Sequence, residues 1–329
     1  MTIKEVARIA GVSIATVSKV INGCDEHISE ATRERVRAVV AKYNYIPNSV
    51  ARGLKTRKSK IIGILLPDIT NPYFPQIVRG IEDAANLRGY GVVFCNTGDN
   101  PDREVECYNF LRSKMVDGII FTRSLKRSAR NRVLTEDLPA VVLDRVERDD
   151  RADKACGKVY VDVRRTMYDA TMKLFQAGCG EIACLSAASD SKSDRFLGYL
   201  RALETLDLPY DKSYVFLDKF TEDTGYRGAK AVLEHHPETD GLVCGNDLIA
   251  IGALQALSEL ERQVPRQVKV IGIDNIYFSN FTTPPLSTMG QPTYTMGEAA
   301  ASMLIDHLEY GKPLFECVFD HEYIQRQTV

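Results

Sequence analysis

Thr2-Ile3-Lys4-Glu5-Val6-Ala7-Arg8-Ile9-Ala10, then Gly11-Val12-Ser13, then Ile14-Ala15-Thr16-Val17-Ser18-Lys19-Val20-Ile21-Asn22-Gly23 spells two short helices joined by a tight turn. Thr2 with Glu5 three residues on has the capping-box spacing, which starts the first helix beside the chain terminus. Ile3, Val6, Ala7 and Ala10 share one face, Gly11 permits the turn, Ser13 caps the second helix, and Val17, Val20 and Ile21 face back inward. Ile14, Ala15, Thr16, Ser18, Lys19 and Asn22 remain on the outer side of a helix that fits a DNA major groove, where N-terminal residues meet base edges. An ordinary amphipathic hairpin has the same periodicity, and charge separates the two readings.

Residues 1–60 hold 12 Lys and Arg against 5 Asp and Glu, a net +7, whereas the remainder carries −9; the chain total of −2 conceals a basic head on an acidic body. Phosphate neutralisation needs only the head. A third helix reads from Ser29 to Tyr43, with Val36, Val39, Val40 and Tyr43 at helical spacing. Residues 44–60 follow, basic, broken by Pro47 and Gly53, and too short to hold a helix in isolation.

A length of 329 residues implies more than one domain, and 44% apolar residues is the composition of a globular protein. The charged N-terminus differs from a signal stretch, and no run approaches the roughly 20 apolar residues of a membrane span, so a cytoplasmic protein is expected. The eight cysteines form no C-x-x-C pair and the five histidines no H-E-x-x-H, so neither a disulfide nor a zinc framework is expected, and no cofactor is implied.

Beyond Lys60, short apolar runs alternate with helical stretches: 61–66, 92–95, 118–121, 140–143, 159–161, 182–185, 215–217, 242–244 and 268–273. That rhythm predicts an α/β body of parallel sheets with helical crossovers. Ligands of such sheets bind beyond the carboxyl ends of the strands. The residues that follow the runs are Asn71, Tyr73 and Phe74; Thr122 and Arg123; Asp144 and Arg145; Asp190 and Arg195; Phe220; Asn246 and Asp247; and Asp274. Asp, Asn and Arg meet the paired donors and acceptors of vicinal hydroxyls, and Tyr73, Phe74 or Phe220 can cover an apolar ring face. This set fits a monosaccharide or simple derivative. Each Asp or Asn taken singly is equally well explained as a helix cap. An enzyme of similar topology would need its own motifs, and the chain has no Walker loop, no G-x-G-x-x-G and no G-x-S-x-G; Ser189-Asp190-Ser191-Lys192 has the S-x-x-K form without its companions. No enzymatic activity is expected.

Val12-Ser13-x-Ala15-Thr16-Val17-Ser18 with Asn22, Tyr45-x-Pro47-Asn48-x-x-Ala51-Arg52-x-Leu54, Gly245-Asn246-Asp247 and Gly272-Ile273-Asp274 together resemble the lactose/galactose repressor family of bacterial transcription regulators, over essentially the whole chain. The resemblance implies an all-α helix-turn-helix head at 1–46, a hinge helix at 47–60 that folds on DNA, and an effector-binding and dimerisation core at 61–329. In that core two Rossmann-like subdomains of periplasmic-binding-protein type are implied, about 61–160 with 290–318, and about 161–289 with 319–329. Thr2, Ser13, Ile14, Ala15, Thr16, Ser18, Lys19, Asn22, Asn48, Ala51, Arg52 and Leu54 are then the expected DNA-binding residues, with Leu54 matching the family's minor-groove wedge. Arg195, Asn246 and Asp274 match positions at which the family grips its effector. The expected protein is a repressor of a carbohydrate utilisation operon that binds a pseudo-palindromic operator and is allosterically controlled by a sugar-like effector. A purine or a phosphoprotein partner is the alternative signal. Because one head covers one half-site, and Glu322-Tyr323-Ile324 near the end of the sequence is followed by no heptad tail, a homodimer is expected.

Overall fold

The computed structural model describes residues 1–46, 58–125, 138–146, 156–187 and 193–329. The chain divides into two compact units, Met1–Ser59 and Lys60–Val329.

The first unit holds α1 (Ile3–Ala10), α2 (Ile14–Ile21) and α3 (Glu30–Lys42). Thr2 and Glu5 close the capping box in both directions: the Thr2 N–H donates to Glu5 Oε2 at 2.7 Å, and the Glu5 N–H donates to Thr2 Oγ1 at 3.4 Å. Such caps contribute about 1 kcal/mol, and these bonds from Thr2 hold the Glu5 carboxyl below its ordinary range. The turn passes through Gly11 at φ 64°, a left-handed conformation that residues with a Cβ adopt at a cost. Ser13 Oγ accepts the Thr16 N–H at 3.1 Å and so starts α2. Val6, Ala7, Ala10, Val17, Val20 and Val36 form the buried centre. Tyr43 departs from its periodicity: it caps the end of α3 and is 45% exposed, because the chain turns there and Tyr45 packs against the centre instead.

The second unit alternates strands and helices. Its elements are β1 (Ile61–Leu66), α4 (Tyr73–Leu87), β2 (Gly91–Asn96), α5 (Pro101–Ser113), β3 (Gly118–Phe121), β4 (Ala140–Leu143) and β5 (Gly157–Val161). Next come α6 (Val163–Gln176), β6 (Ile182–Ala187), α7 (Asp194–Thr205), β7 (Val215–Asp218), α8 (Glu222–His235) and β8 (Gly241–Cys244). It ends with α9 (Asp247–Glu259), β9 (Lys269–Asp274), β10 (Ser287–Gly290), α10 (Thr293–Tyr310), β11 (Glu316–Phe319) and β12 (Glu322–Ile324).

Two six-stranded sheets result, ordered β11-β5-β4-β3-β1-β2 and β12-β10-β9-β8-β6-β7. Pairing is parallel throughout, apart from the antiparallel β10–β12 pair. The chain moves from the first sheet to the second after β5, returns after β10, and crosses again between β11 and β12. All nine apolar runs of the sequence are strands, and burial on both faces of the central ones, such as β1, β3, β4, β6 and β8, explains why those read as continuous rather than alternating.

Among the helix pairs of the first sheet, α4 against α10 is the tightest crossing. A Cβ on Gly80 would stand 2.1 Å from the Tyr294 carbonyl oxygen, and one on Gly297 would stand 2.2 Å from that of Ile77. The two backbones therefore touch, with no side-chain layer between them. Gly297→Ala should force the helices apart and destabilise the unit by about 1–3 kcal/mol. Gly180→Ala, whose Cβ would meet nothing within 4 Å, should leave stability unchanged. Urea unfolding of both variants checks this, and equal midpoints would contradict the close crossing.

Candidate functional site

The head presents α2 outward. Ser13, Ile14, Ala15, Lys19 and Asn22 are exposed, while Thr16 and Ser18 are half-buried. Local bonds already hold some of them: Ser13 Oγ lies 2.9 Å from Thr16 Oγ1, and Asn22 Nδ2 donates to the Ser18 carbonyl at 2.7 Å. Ile14 remains 45% exposed although apolar, a surface suited to a thymine methyl. Arg33 is turned inward and paired with Asp25 at 2.7 Å and with Glu30 at 2.5 Å, which takes its charge out of any phosphate contact. Lys4, Arg8, Lys19 and Arg35 stay exposed. Asn48, Ala51, Arg52 and Leu54 lie outside the described residues, as does Asp190.

A second site lies between the two sheets. A narrow cleft is lined from the first sheet's side by Asn71, Tyr73, Phe74, Asp144 and Arg145, and from the second by Arg195, Phe220, Asn246 and Asp274. Every one of these follows a strand or ends one, as parallel sheets dictate. Asp144 at φ 63° and Asp274 at φ 116° adopt left-handed backbone directly at strand ends. Non-glycine residues there cost roughly 1–3 kcal/mol each and persist only where surrounding structure over-determines them, a condition common at ligand sites.

The charges are not equivalent. Arg145 Nη1 is paired with Asp99 at 2.6 Å and also donates to the Arg123 carbonyl at 2.9 Å, so its charge is compensated from behind the cleft. Arg195 and Asp274 form no direct ion pair, and the buried Arg195 Nε has no hydrogen-bond partner among the described residues. The guanidiniums of Arg195 and Arg145 stand 4.8 and 5.3 Å from the centroid of the Phe220 ring. Gln291 Nε2 donates to Asp274 Oδ1 at 2.7 Å, and Gln291 Oε1 accepts from the Tyr73 hydroxyl at 3.3 Å. Burial pushes the Asp274 carboxyl well above the ordinary carboxylate range against the pull of Arg195. Burial likewise raises the Tyr73 phenol, with Asp144 and Asp274 adding to it. The cleft thus offers a guanidinium with no ion-pair partner among the described residues, an acid, an aromatic face and the amide of Asn246.

Three of the expected effector residues are placed elsewhere. Asp247 is fully buried, accepting from the Ile276 N–H at 2.9 Å and from the hydroxyls of Ser279 and Thr288 at 2.5 and 2.6 Å; it locks α9 to β9 and β10. Thr122 and Arg123 are buried behind the cleft, Arg123 over the Phe121 ring at 5.1 Å. Asn246 and Asn71 combine both roles, since Asn246 Oδ1 caps α9 through the Ile249 N–H at 2.9 Å and Asn71 Oδ1 accepts the Tyr73 N–H at 3.0 Å. Gln291 is a site residue that sequence reading missed. It follows β10, whose Ser287-Thr288-Met289-Gly290 has no apolar run to signal a strand.

An outward-facing helix-turn-helix joined to a two-sheet binding fold defines a ligand-responsive DNA-binding regulator. Residues 2–48 match the family described as bacterial regulatory proteins, lacI family, and residues 59–323 match periplasmic binding proteins and sugar binding domain of LacI family. The chain belongs to the lacI family of bacterial transcription regulators. It is 37% identical to the HTH-type transcriptional regulator RegA of Clostridium saccharobutylicum, over 99% of this chain and 98% of that one. It is 33% identical to the HTH-type transcriptional repressor PurR of Vibrio atlanticus, over 100% of this chain and 98% of that one. Among solved structures, the transcriptional regulator CelR–cellobiose complex superposes with a TM-score of 0.75 at 26% identity, covering 100% of both chains. No helix among the described residues is long and apolar enough to cross a membrane.

Burial raises the Asp247 carboxyl to about 6. Because its folded value lies above the unfolded value of about 3.9, folding takes up a proton, and stability from this group falls as pH rises between the two. The advantage of the wild type over Asp247→Asn should therefore be greatest below about pH 4 and shrink by on the order of 2 kcal/mol by about pH 6. Urea midpoints of both proteins across that window check this, and a constant difference would contradict it.

Proposed function

We propose that this chain is a dimeric repressor of a carbohydrate utilisation operon, reading a pseudo-palindromic operator through α2 and switched by a monosaccharide or simple derivative bound in the cleft. The observation that carries the effector reading is the presence on one wall, beside the Phe220 ring, of Asp274 and a buried Arg195 whose Nε has no hydrogen-bond partner among the described residues. A hydroxylated ring satisfies both groups at once and covers Phe220 with its apolar face, whereas a strong anion would meet Asp144 and Asp274 as well as Arg195. A similar regulator, CelR, has been solved in complex with cellobiose, which supports the same class. A purine is the second reading, favoured by Tyr73 and Phe74 meeting edge to face at 5.1 Å in the cleft and by the PurR relative. Dimerisation is supported by the half-site geometry of a single head and by the adjoining rings of Tyr277, Phe278 and Phe281 on the exposed surface of the second unit.

Titration calorimetry with aldoses, disaccharides, sugar phosphates, hypoxanthine and guanine tests the effector class. A sugar should bind, and Arg195→Ala or Asp274→Ala should each weaken it at least roughly tenfold by leaving the partner group buried and unsatisfied, with operator binding preserved. Binding of hypoxanthine or guanine alone would replace the sugar reading by the purine one. On the DNA side, Lys19→Ala should lose preference between operator and random duplex, while Arg8→Ala should weaken both alike and lower the salt slope by about one. Equal losses on both duplexes for Lys19→Ala would refute its base-reading role.

A further inference from the structure

Two half-buried thiols meet between β2 and α5. Successive residues of β2 face opposite ways: Val92 packs on the cluster that holds Ile77 and Ile81, whereas Val93 and Cys95 pack on the one that holds Tyr108 and Leu111 of α5. Cys107 stands on that same face of α5, next to Tyr108 and one turn from Leu111. The Cys95 thiol lies within hydrogen-bond distance of the Cys107 thiol. The spacing is not C-x-x-C; helix packing on strand makes the pair. β2 is the outer strand of its sheet, so both thiols keep some solvent access. Cys184 and Cys244 also stand on neighbouring strands, β6 and β8, but both are fully buried and closed to any solute.

The chain between Cys95 and Cys107 braces the first sheet's wall of the cleft. Asn96 Oδ1 accepts the Ile69 N–H at 3.1 Å. Thr97, fully buried, donates its N–H and its hydroxyl to the Leu66 carbonyl, at 2.8 and 3.1 Å. The Asp99 N–H donates to the Pro67 carbonyl at 3.0 Å, and the Asp99 carboxylate holds Arg145 at 2.6 Å. Residues 66–69 lead into Asn71 and Tyr73, and Arg145 is itself a lining residue.

We propose that Cys95 and Cys107 form a reversible oxidation site, closed to a disulfide by a hydroperoxide, which fixes the turn at 96–100 and with it the first sheet's wall of the cleft. Its regulatory meaning rests on the cleft being the effector site; the oxidation chemistry does not. Burial, and then the Cys107 thiol, push Cys95 up to about 11, with the Arg103 guanidinium drawing the other way. Cys95 is therefore a thiol at neutral pH, and since the thiolate is the nucleophile, Cys107 reacts first. Its sulfur attacks one peroxide oxygen, the O–O bond breaks, and the leaving hydroxide takes up the proton Cys107 released; a sulfenic acid and one water result. The Cys95 sulfur then attacks the sulfenic sulfur, the S–S bond forms, and the S–O bond breaks as the oxygen leaves with the Cys95 proton as a second water. Two thiols and one peroxide give one disulfide and two waters. Thiols already in contact need only a small side-chain shift to bond, and the cross-link suppresses local opening of the chain it encloses.

The test uses the full chain with no sugar and no DNA. The protein is treated with hydrogen peroxide, blocked with N-ethylmaleimide and digested without reduction. Peptides joined through Cys95 and Cys107, lacking two hydrogens, should appear and be released by dithiothreitol. Cys95→Ser should stop at a Cys107 sulfenic acid that dimedone traps. Hydrogen exchange read by mass spectrometry on the wild type should slow at least fivefold on oxidation in peptides covering 67–71 and 96–100, and recover with dithiothreitol. Both thiols alkylated after peroxide as before it, or a cross-link between other cysteines in place of this one, overturns the oxidation site. A Cys95–Cys107 cross-link that leaves exchange in both segments unchanged overturns its hold on the cleft wall. The wild-type measurements need no variant to fold and no effector, so a failed sugar titration is a separate result.

Discussion

Two parallel sheets aim the carboxyl ends of their strands at one cleft, and into it the molecule buries charge that it does not pair. Asp144, Arg145, Arg195 and Asp274 line the same cleft, yet among the described residues only Arg145 of these has an ion-pair partner, Asp99, which is not itself a lining residue. Taking a guanidinium or carboxylate out of water costs several kcal/mol unless it is matched. The left-handed backbone at Asp144 and Asp274 adds to that cost.

The regulatory logic follows from where the chain runs rather than from the cleft alone. Three crossings between the sheets make the halves separate bodies joined by a few strands of chain, so a ligand held from both sides biases their relative position. The head needs no such freedom. Its capping box, Gly11 turn and Val6, Val17, Val36 centre hold the α2 surface fixed on its own small core. Signal and recognition thus fall in separate compact units, each with its own core.

Much of this was legible in residue order. Capping box, turn glycine and inward valines specified the head because all are local. The apolar runs marked strands because the central ones, buried on both faces, have no polar face to alternate with. β10 escaped notice for the opposite reason: Thr288 and Ser287 spend their hydroxyls on Asp247 and on the Arg326 N–H, so polar residues sit where a strand pattern expects apolar ones. Asp247, one residue from a cleft asparagine, went to the interior because a carboxylate that accepts three bonds is a lock, and only the fold reveals its partners. Asn246 illustrates the limit in the other direction, being a helix cap and a cleft residue at once.

The most direct test of the account is a crystal structure of the full chain grown with the sugar that binds it most tightly. The account predicts hydroxyl oxygens within hydrogen-bond distance of both Arg195 and Asp274, with an apolar face of the ring over Phe220. Density for the sugar at any other place, or in the cleft without contact to Arg195 and Asp274, would contradict it.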